Sequence, residues 1–152
     1  MTTIKNPALQ FTAENTVGYL LGRARTKLSK SLDVALARHD ITNAQGRIVL
    51  MLASGNYATA ADLGRELYID SASMTRMIDR LEKRGVIERV RSQQDRRVTR
   101  LELTDDGNAL AALLPVEYIS ALDRNFADFK ADEVELLKTL LRKYLDSNTD
   151  PI

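Results

Sequence analysis

The chain has 152 residues, 44% of them hydrophobic and 28% charged, with a net charge of +1, so it is long enough for one domain with a real core. Its longest apolar runs, six residues as in Ala109–Leu114, are far short of the roughly 20 residues that span a bilayer, and the absence of cysteine rules out disulfides and thiolate metal sites. One histidine is too few for a His-rich metal centre, so neither metal nor cofactor is expected.

Residues 1–13 contain Pro7 and show no apolar period, and they read as an arm ordered only by packing. The opening Met-Thr-Thr-Ile-Lys-Asn-Pro has no signal-peptide core, so cytoplasmic residence and no membrane partner are expected. The first long helix is predicted from about Asn15 to Arg38. Its apolar stripe is Val17, Leu20, Leu21, Ala24, Leu28, Leu32, Ala35 and Leu36. Arg23, Arg25, Lys27 and Lys30 form a basic patch that reads as a solvated face, and Tyr19 and Arg23 lie one turn apart.

His39-Asp40-Ile41 breaks the helix. Thr42 and Gln45 make a capping-box pattern for a second helix, whose run Ile48–Leu52 is too apolar for a surface position. Ser54–Tyr57 is a turn by composition. Thr59 caps a short third helix ending near Glu66. Asp70 caps a fourth, with Met74, Met77, Ile78 and Leu81 as its buried stripe and Gly85 as its stop. A short helix, a tight turn and a longer helix form a helix-turn-helix. The leading edge of the second helix carries Ser71, Ala72, Ser73, Thr75 and Arg76, with Arg80 behind them. These short polar side chains and arginines suit a DNA major groove.

Val86–Arg91 and Val98–Leu103 read as two short strands. The polar connection between them ends in Arg96 and Arg97, placed to reach a minor groove, and Asp95 is expected to hold one of these arginines through a carboxylate pair. Charge is segregated in the same sense. Residues 71–104 carry nine Lys/Arg against five Asp/Glu, whereas residues 105–152 carry five against ten.

Thr104 caps a further helix with Leu110, Leu113, Leu114, Ile119, Leu122, Phe126 and Phe129 as apolar positions and a kink expected at Pro115. Asp132 with Glu135 opens a last helix striped by Val134, Leu137, Leu140, Leu141, Tyr144 and Leu145; residues 147–152 are expected to fray. A small core cannot cover these stripes and that of the first helix together. A symmetric homodimer is therefore expected, with Leu137, Leu140, Leu141 and Tyr144 in its interface. No nucleophile elbow, Walker loop, HExxH or dinucleotide turn is present, and the paired acids fall at helix starts, so no enzymatic activity is expected.

The run T-R-M-I-D-R-L-E-K-R-G-V-I-E-R, followed by D-R-R and by L-E-L-T-D-D-G, resembles the winged-helix core of MarR-type transcriptional regulators. The resemblance is specific over Asp62–Gly107. It implies a mainly α fold with a small β-hairpin wing, divided into an arm and dimerisation helix (1–40), a winged helix-turn-helix domain (41–104) and C-terminal dimerisation helices (105–152). It also implies a double-stranded, near-palindromic operator and repression relieved by a small phenolic or carboxylate ligand. In the family's wing motif Asp95 stands two residues before the minor-groove arginine, Arg97, with Arg96 between them. The family's ligand crevice lies between the dimer helices and the winged core, with Tyr19, Arg23 and His39 as candidate lining. A winged-helix module for protein–protein contact is the alternative, and the basic wing argues against it.

Overall fold

Five side chains fix where five helices begin. Thr16, Thr42, Thr59, Asp70 and Thr104 each accept the backbone N–H of the residue three positions on, at 3.2, 3.2, 3.1, 2.8 and 3.0 Å. These bonds satisfy N–H groups that a helix start otherwise leaves unpaired. The structure, a computed structural model, describes residues 12–147. The expected N-terminal arm up to residue 11 and the expected fraying end from residue 148 lie outside the described residues.

The helices are α1 (Val17–Leu36), α2 (Asn43–Ala53), α3 (Ala60–Leu67), α4 (Ser71–Lys83), α5 (Asp105–Asn125) and α6 (Ala131–Leu145). The strands β1 (Ile87–Arg91) and β2 (Thr99–Leu103) pair antiparallel, with Ile87 opposite Leu103 and Arg91 opposite Thr99. Short 3-10 turns flank α1 at Ala13–Asn15 and Ala37–His39 and account for the ends of the longer helix expected there. Thr42 and Gln45 form the expected reciprocal cap on α2. Gly85 ends α4 with φ +79°, a left-handed conformation that glycine adopts without steric cost.

The core is built where the apolar stripes converge. Leu36, Ile48, Val49, Leu63, Met74, Ile78, Leu81, Ile87 and Leu114 are fully buried, drawing on α1 to α5 and β1. On β2, Leu101 is buried between exposed Arg100 and Glu102, whereas Thr99 is exposed and Leu103 half-buried. Leu101 N–H also donates to Ala58 O at 2.7 Å, which ties the wing to the segment entering α3. Between α2 and α5 the approach is close: a Cβ on Gly46 would sit 2.8 Å from the Tyr118 hydroxyl.

Two expectations about the C-terminal half are corrected, at Phe126 and Phe129 and at the start of α6. α5 is one continuous helix that contains Pro115, the position of the expected kink. Pro115 lies on its exposed side, and buried Ala111, Leu114, Glu117 and Ala121 pin both halves to the core. Phe126 and Phe129 are not helical positions; α5 stops at Asn125, and the two rings stack edge-to-face in the following turn with centroids 5.3 Å apart. α6 is not opened by Asp132 and Glu135. Lys130 N–H donates to Glu133 Oε2 at 2.8 Å, and Glu135 instead pairs with Lys138 at 2.7 Å.

Candidate nucleic-acid interface

α4 buries Met74, Ile78 and Leu81 and turns its other face outward. Ser71, Ala72, Thr75, Arg76 and Arg80 are exposed and Ser73 is half-buried. The Asp70 carboxylate that starts the helix accepts the N–H of Ser73, and this bond holds its pKa below the usual carboxylate range. Arg76 donates to Ser73 Oγ at 3.0 Å, so its guanidinium is held over the first turn of the helix. Thr75 Oγ1 donates back to Ser71 O at 2.8 Å, leaving its lone pairs free to accept. If Arg76 reads a base edge, Arg76→Ala will cost roughly 1–3 kcal/mol of operator binding. Fluorescence anisotropy on matched and scrambled duplexes checks this; unchanged affinity and sequence preference would remove Arg76 from the reading set.

The hairpin that follows is braced at its base and closed at its tip. Arg89 of β1 donates to Asp79 Oδ1 and to Glu82 Oε1 of α4, both at 2.6 Å, and this fork fastens the wing to the helix. At the tip, Ser92 N–H donates to Val98 O and Val98 N–H to Asp95 O, both at 3.0 Å. Asp95 does not pair with a guanidinium as the sequence suggested. Its Oδ1 accepts the backbone N–H of Arg97 at 3.0 Å, so it shapes the loop and leaves both arginine side chains outward. Arg96 and Arg97 are exposed, and among the described residues neither guanidinium has a hydrogen-bond or ion-pair partner.

This geometry changes what substitution at Asp95 should do. Asp95→Ala deletes the acceptor and should weaken DNA binding although the protein becomes more positive. Asp95→Asn keeps an acceptor oxygen and should bind at least as tightly as wild type. Arg97→Ala should lose most on A·T-rich flanks, where the minor groove is narrow and negative. Arg96→Ala should lose affinity evenly and flatten the salt slope by about one ion. Tighter binding by Asp95→Ala would contradict the loop-shaping role.

The third ligand candidate, His39, is already engaged. Its Nε2 lies 3.0 Å from Glu117 Oε1, and Arg38 bonds Glu117 Oε2. The Glu117 side chain is only 10% exposed, and the bonds from His39 and then Arg38 hold its pKa below the usual range. From the other side, the Arg84 guanidinium at the end of α4 donates to the carbonyls of His39 and Asp40. The turn after α1 is thus held by α5 and by the outward-facing helix α4 together. Tyr19 and Arg23 are exposed on the outer side of α1, along an open depression shared with Gly18 and Gly22. They are not brought to His39, which is 16 residues beyond Arg23, about 24 Å at the helical rise.

Several residues at these junctions escaped the sequence reading. Asn43 N–H donates to Asp33 Oδ1 at 2.6 Å, and the Tyr118 hydroxyl donates to Asn43 Oδ1 at 3.0 Å. Burial pushes the Tyr118 phenol up to about 12, so it remains a neutral donor. This polar knot joins α1, α2 and α5. Its partners are as far as 75 residues apart, and no local pattern announces them.

The profile of the MarR family matches residues 41–99. The multiple antibiotic resistance protein MarR of Escherichia coli is 31% identical over 133 residues, covering 85% of this chain and 90% of that protein. The chain belongs to the MarR family of transcriptional regulators. A MarR-family structure, a cysteine-to-serine variant of Escherichia coli MarR complexed with operator DNA, superposes with a TM-score of 0.78 at 29% identity, covering 85% of this chain and 93% of that one. Another is similar with a TM-score of 0.79 at 26% identity, covering 91% of this chain and 99% of that one; it is Bordetella bronchiseptica BpsR, studied for regulation of its DNA binding by 6-hydroxynicotinic acid. The winged helix-turn-helix fold expected from the sequence is therefore the family's fold, and DNA-binding regulation is favoured over the protein-interaction alternative.

Proposed function

We propose that this MarR-family protein is a homodimeric repressor that reads a near-palindromic operator and is released by a small aromatic or carboxylate effector. The observation that carries the DNA reading is the pairing of two outward surfaces. The edge Ser71–Arg80 lies on α4, and the unpaired Arg96 and Arg97 lie on a wing clamped to α4 by Arg89. Residues 41–104 supply this DNA-binding unit. Residues 1–40 and 105–152 supply the dimer helices, since α6 has no buried residue and Leu113, Val116, Ile119, Leu136, Leu140 and Tyr144 are exposed in the protomer. A two-fold dimer would set two copies of α4 about 34 Å apart, one turn of B-DNA. The effector reading draws on the small aromatic acid named for BpsR. Its candidate contacts here are Tyr19 and Arg23 on α1; His39 is a separate candidate, bonded to Glu117 beyond the other end of α1. No described helix is long and apolar enough to cross a membrane. The protein is read as a cytoplasmic regulator and not as an enzyme.

The test is selection of bound fragments from genomic DNA, titration of a selected duplex at two salt concentrations, and a screen of small aromatic acids for release. Counterion release predicts a steep loss of affinity between about 50 and 200 mM salt. Failure to bind any duplex near 50 mM salt would overturn the reading.

A further inference from the structure

The turn between α3 and α4 holds a side chain that the fold does not need and that costs it stability. α3 ends in a pair of backbone bonds, Ile69 N–H to Gly64 O at 3.0 Å and Tyr68 N–H to Arg65 O at 3.4 Å. This double closure requires a left-handed residue at the first position after the helix, where glycine is usual because it has no Cβ penalty. Here that residue is Tyr68, with φ 53° and ψ 45°. A bulky side chain rarely adopts this conformation, and doing so is unfavourable. Packing gives nothing back: Tyr68 is 84% exposed, and among the described residues its hydroxyl has no hydrogen-bond partner. Its neighbour Ile69 takes the inward place against the core.

Position suggests what the phenol is for. Tyr68 stands two residues before the Asp70 cap and three before Ser71, so its Cα is within about 11 Å of the start of α4's exposed edge. A long aromatic side chain with a free O–H donor at the flank of a groove-reading helix can meet the sugar-phosphate backbone, where most protein–DNA hydrogen bonds are made. We propose that Tyr68 is an operator contact, its hydroxyl donating to a phosphate oxygen beside the half-site read by α4. The contact fixes the position of the helix and does not read sequence. It rests on the DNA-binding reading above.

Two variants separate this role from a structural one, because the first should move stability and binding in opposite senses and the second should lower binding with stability unchanged. Tyr68→Gly relieves the left-handed strain, so its thermal midpoint should equal or exceed that of wild type, while its affinity for a selected operator duplex should fall about ten-fold. Tyr68→Phe keeps the ring and should show most of the same loss. Both should lose affinity equally on operator and on scrambled duplex. The salt slope should stay unchanged, because a neutral phenol displaces no counterion of its own. Wild-type affinity in both variants would overturn the contact. A loss in Tyr68→Gly that Tyr68→Phe does not share would overturn the hydroxyl's role, and a loss confined to the operator sequence would overturn the phosphate assignment. A wild-type protein that binds operator with steep salt dependence keeps the DNA reading intact in each of these cases; one that binds no duplex overturns both.

Discussion

Leu140→Asp will convert the protein to a monomer at micromolar concentration and lower operator affinity by about 10²–10⁴-fold, the range lost when two linked binding events become separate. The argument depends on where Leu140 lies. It is 55% exposed in the protomer, so an aspartate there meets water and leaves the single-chain fold undisturbed. Only a partner that buries this face makes the charge costly. The neighbours point the same way: Leu136 and Tyr144 flank Leu140 on α6, and Val116 and Ile119 are exposed on α5. These exposed side chains are the apolar surface that a partner would cover. Sedimentation velocity reads the assembly and anisotropy reads the DNA. A Leu140→Asp protein that sediments as a dimer and binds operator like wild type would remove α6 from the interface.

What the sequence shows plainly is what neighbours along the chain decide. Helix starts are written within four residues, as in Thr42 with Gln45 or Asp70 with Ser73, and each forms as read. The stripe Met74, Met77, Ile78 and Leu81 depends on period alone; three of the four are buried as expected and Met77 is half-buried. α4 and the hairpin after it were legible for that reason. The contacts that join elements were not. Arg89 is one of the nine bases counted in residues 71–104, yet it is spent on Asp79 and Glu82, ten and seven residues back. Glu117 looked like one acid among many, yet it holds Arg38 and His39 from 79 and 78 residues away. Charged residues have many possible partners in a linear sequence, and only the fold selects one. Asp95 shows a subtler limit: the sequence put it beside two arginines, and the backbone, not the guanidinium, proved to be its partner.

Gly107→Ala will destabilise the fold by roughly 3 kcal/mol, the upper end of what overpacking a tight site costs. In the sequence this glycine closes L-E-L-T-D-D-G and looks like a weak residue inside a helix, where alanine normally stabilises by about 0.5–1 kcal/mol. The structure reverses that sign. A Cβ at Gly107 would sit 2.0 Å from Val86 O and 3.1 Å from its carbonyl carbon, and these are backbone atoms that cannot rotate away. The first turn of α5 could escape only by lifting from β1. That motion would stretch Thr104 N–H to Val86 O, now 3.1 Å, and Thr104 Oγ1 to Gly85 O, now 2.5 Å. Those bonds join the end of α4, the start of the wing and the start of α5 at one point. Loosening them would loosen the base of the wing and the helix that carries Glu117 and Tyr118. The Gly107→Ala protein should therefore unfold at lower denaturant in chemical denaturation, and at equal folded concentration it should bind operator less tightly than wild type. A stability equal to or above wild type would show that helix propensity outweighs the contact, and that α5 does not need this close approach to the wing.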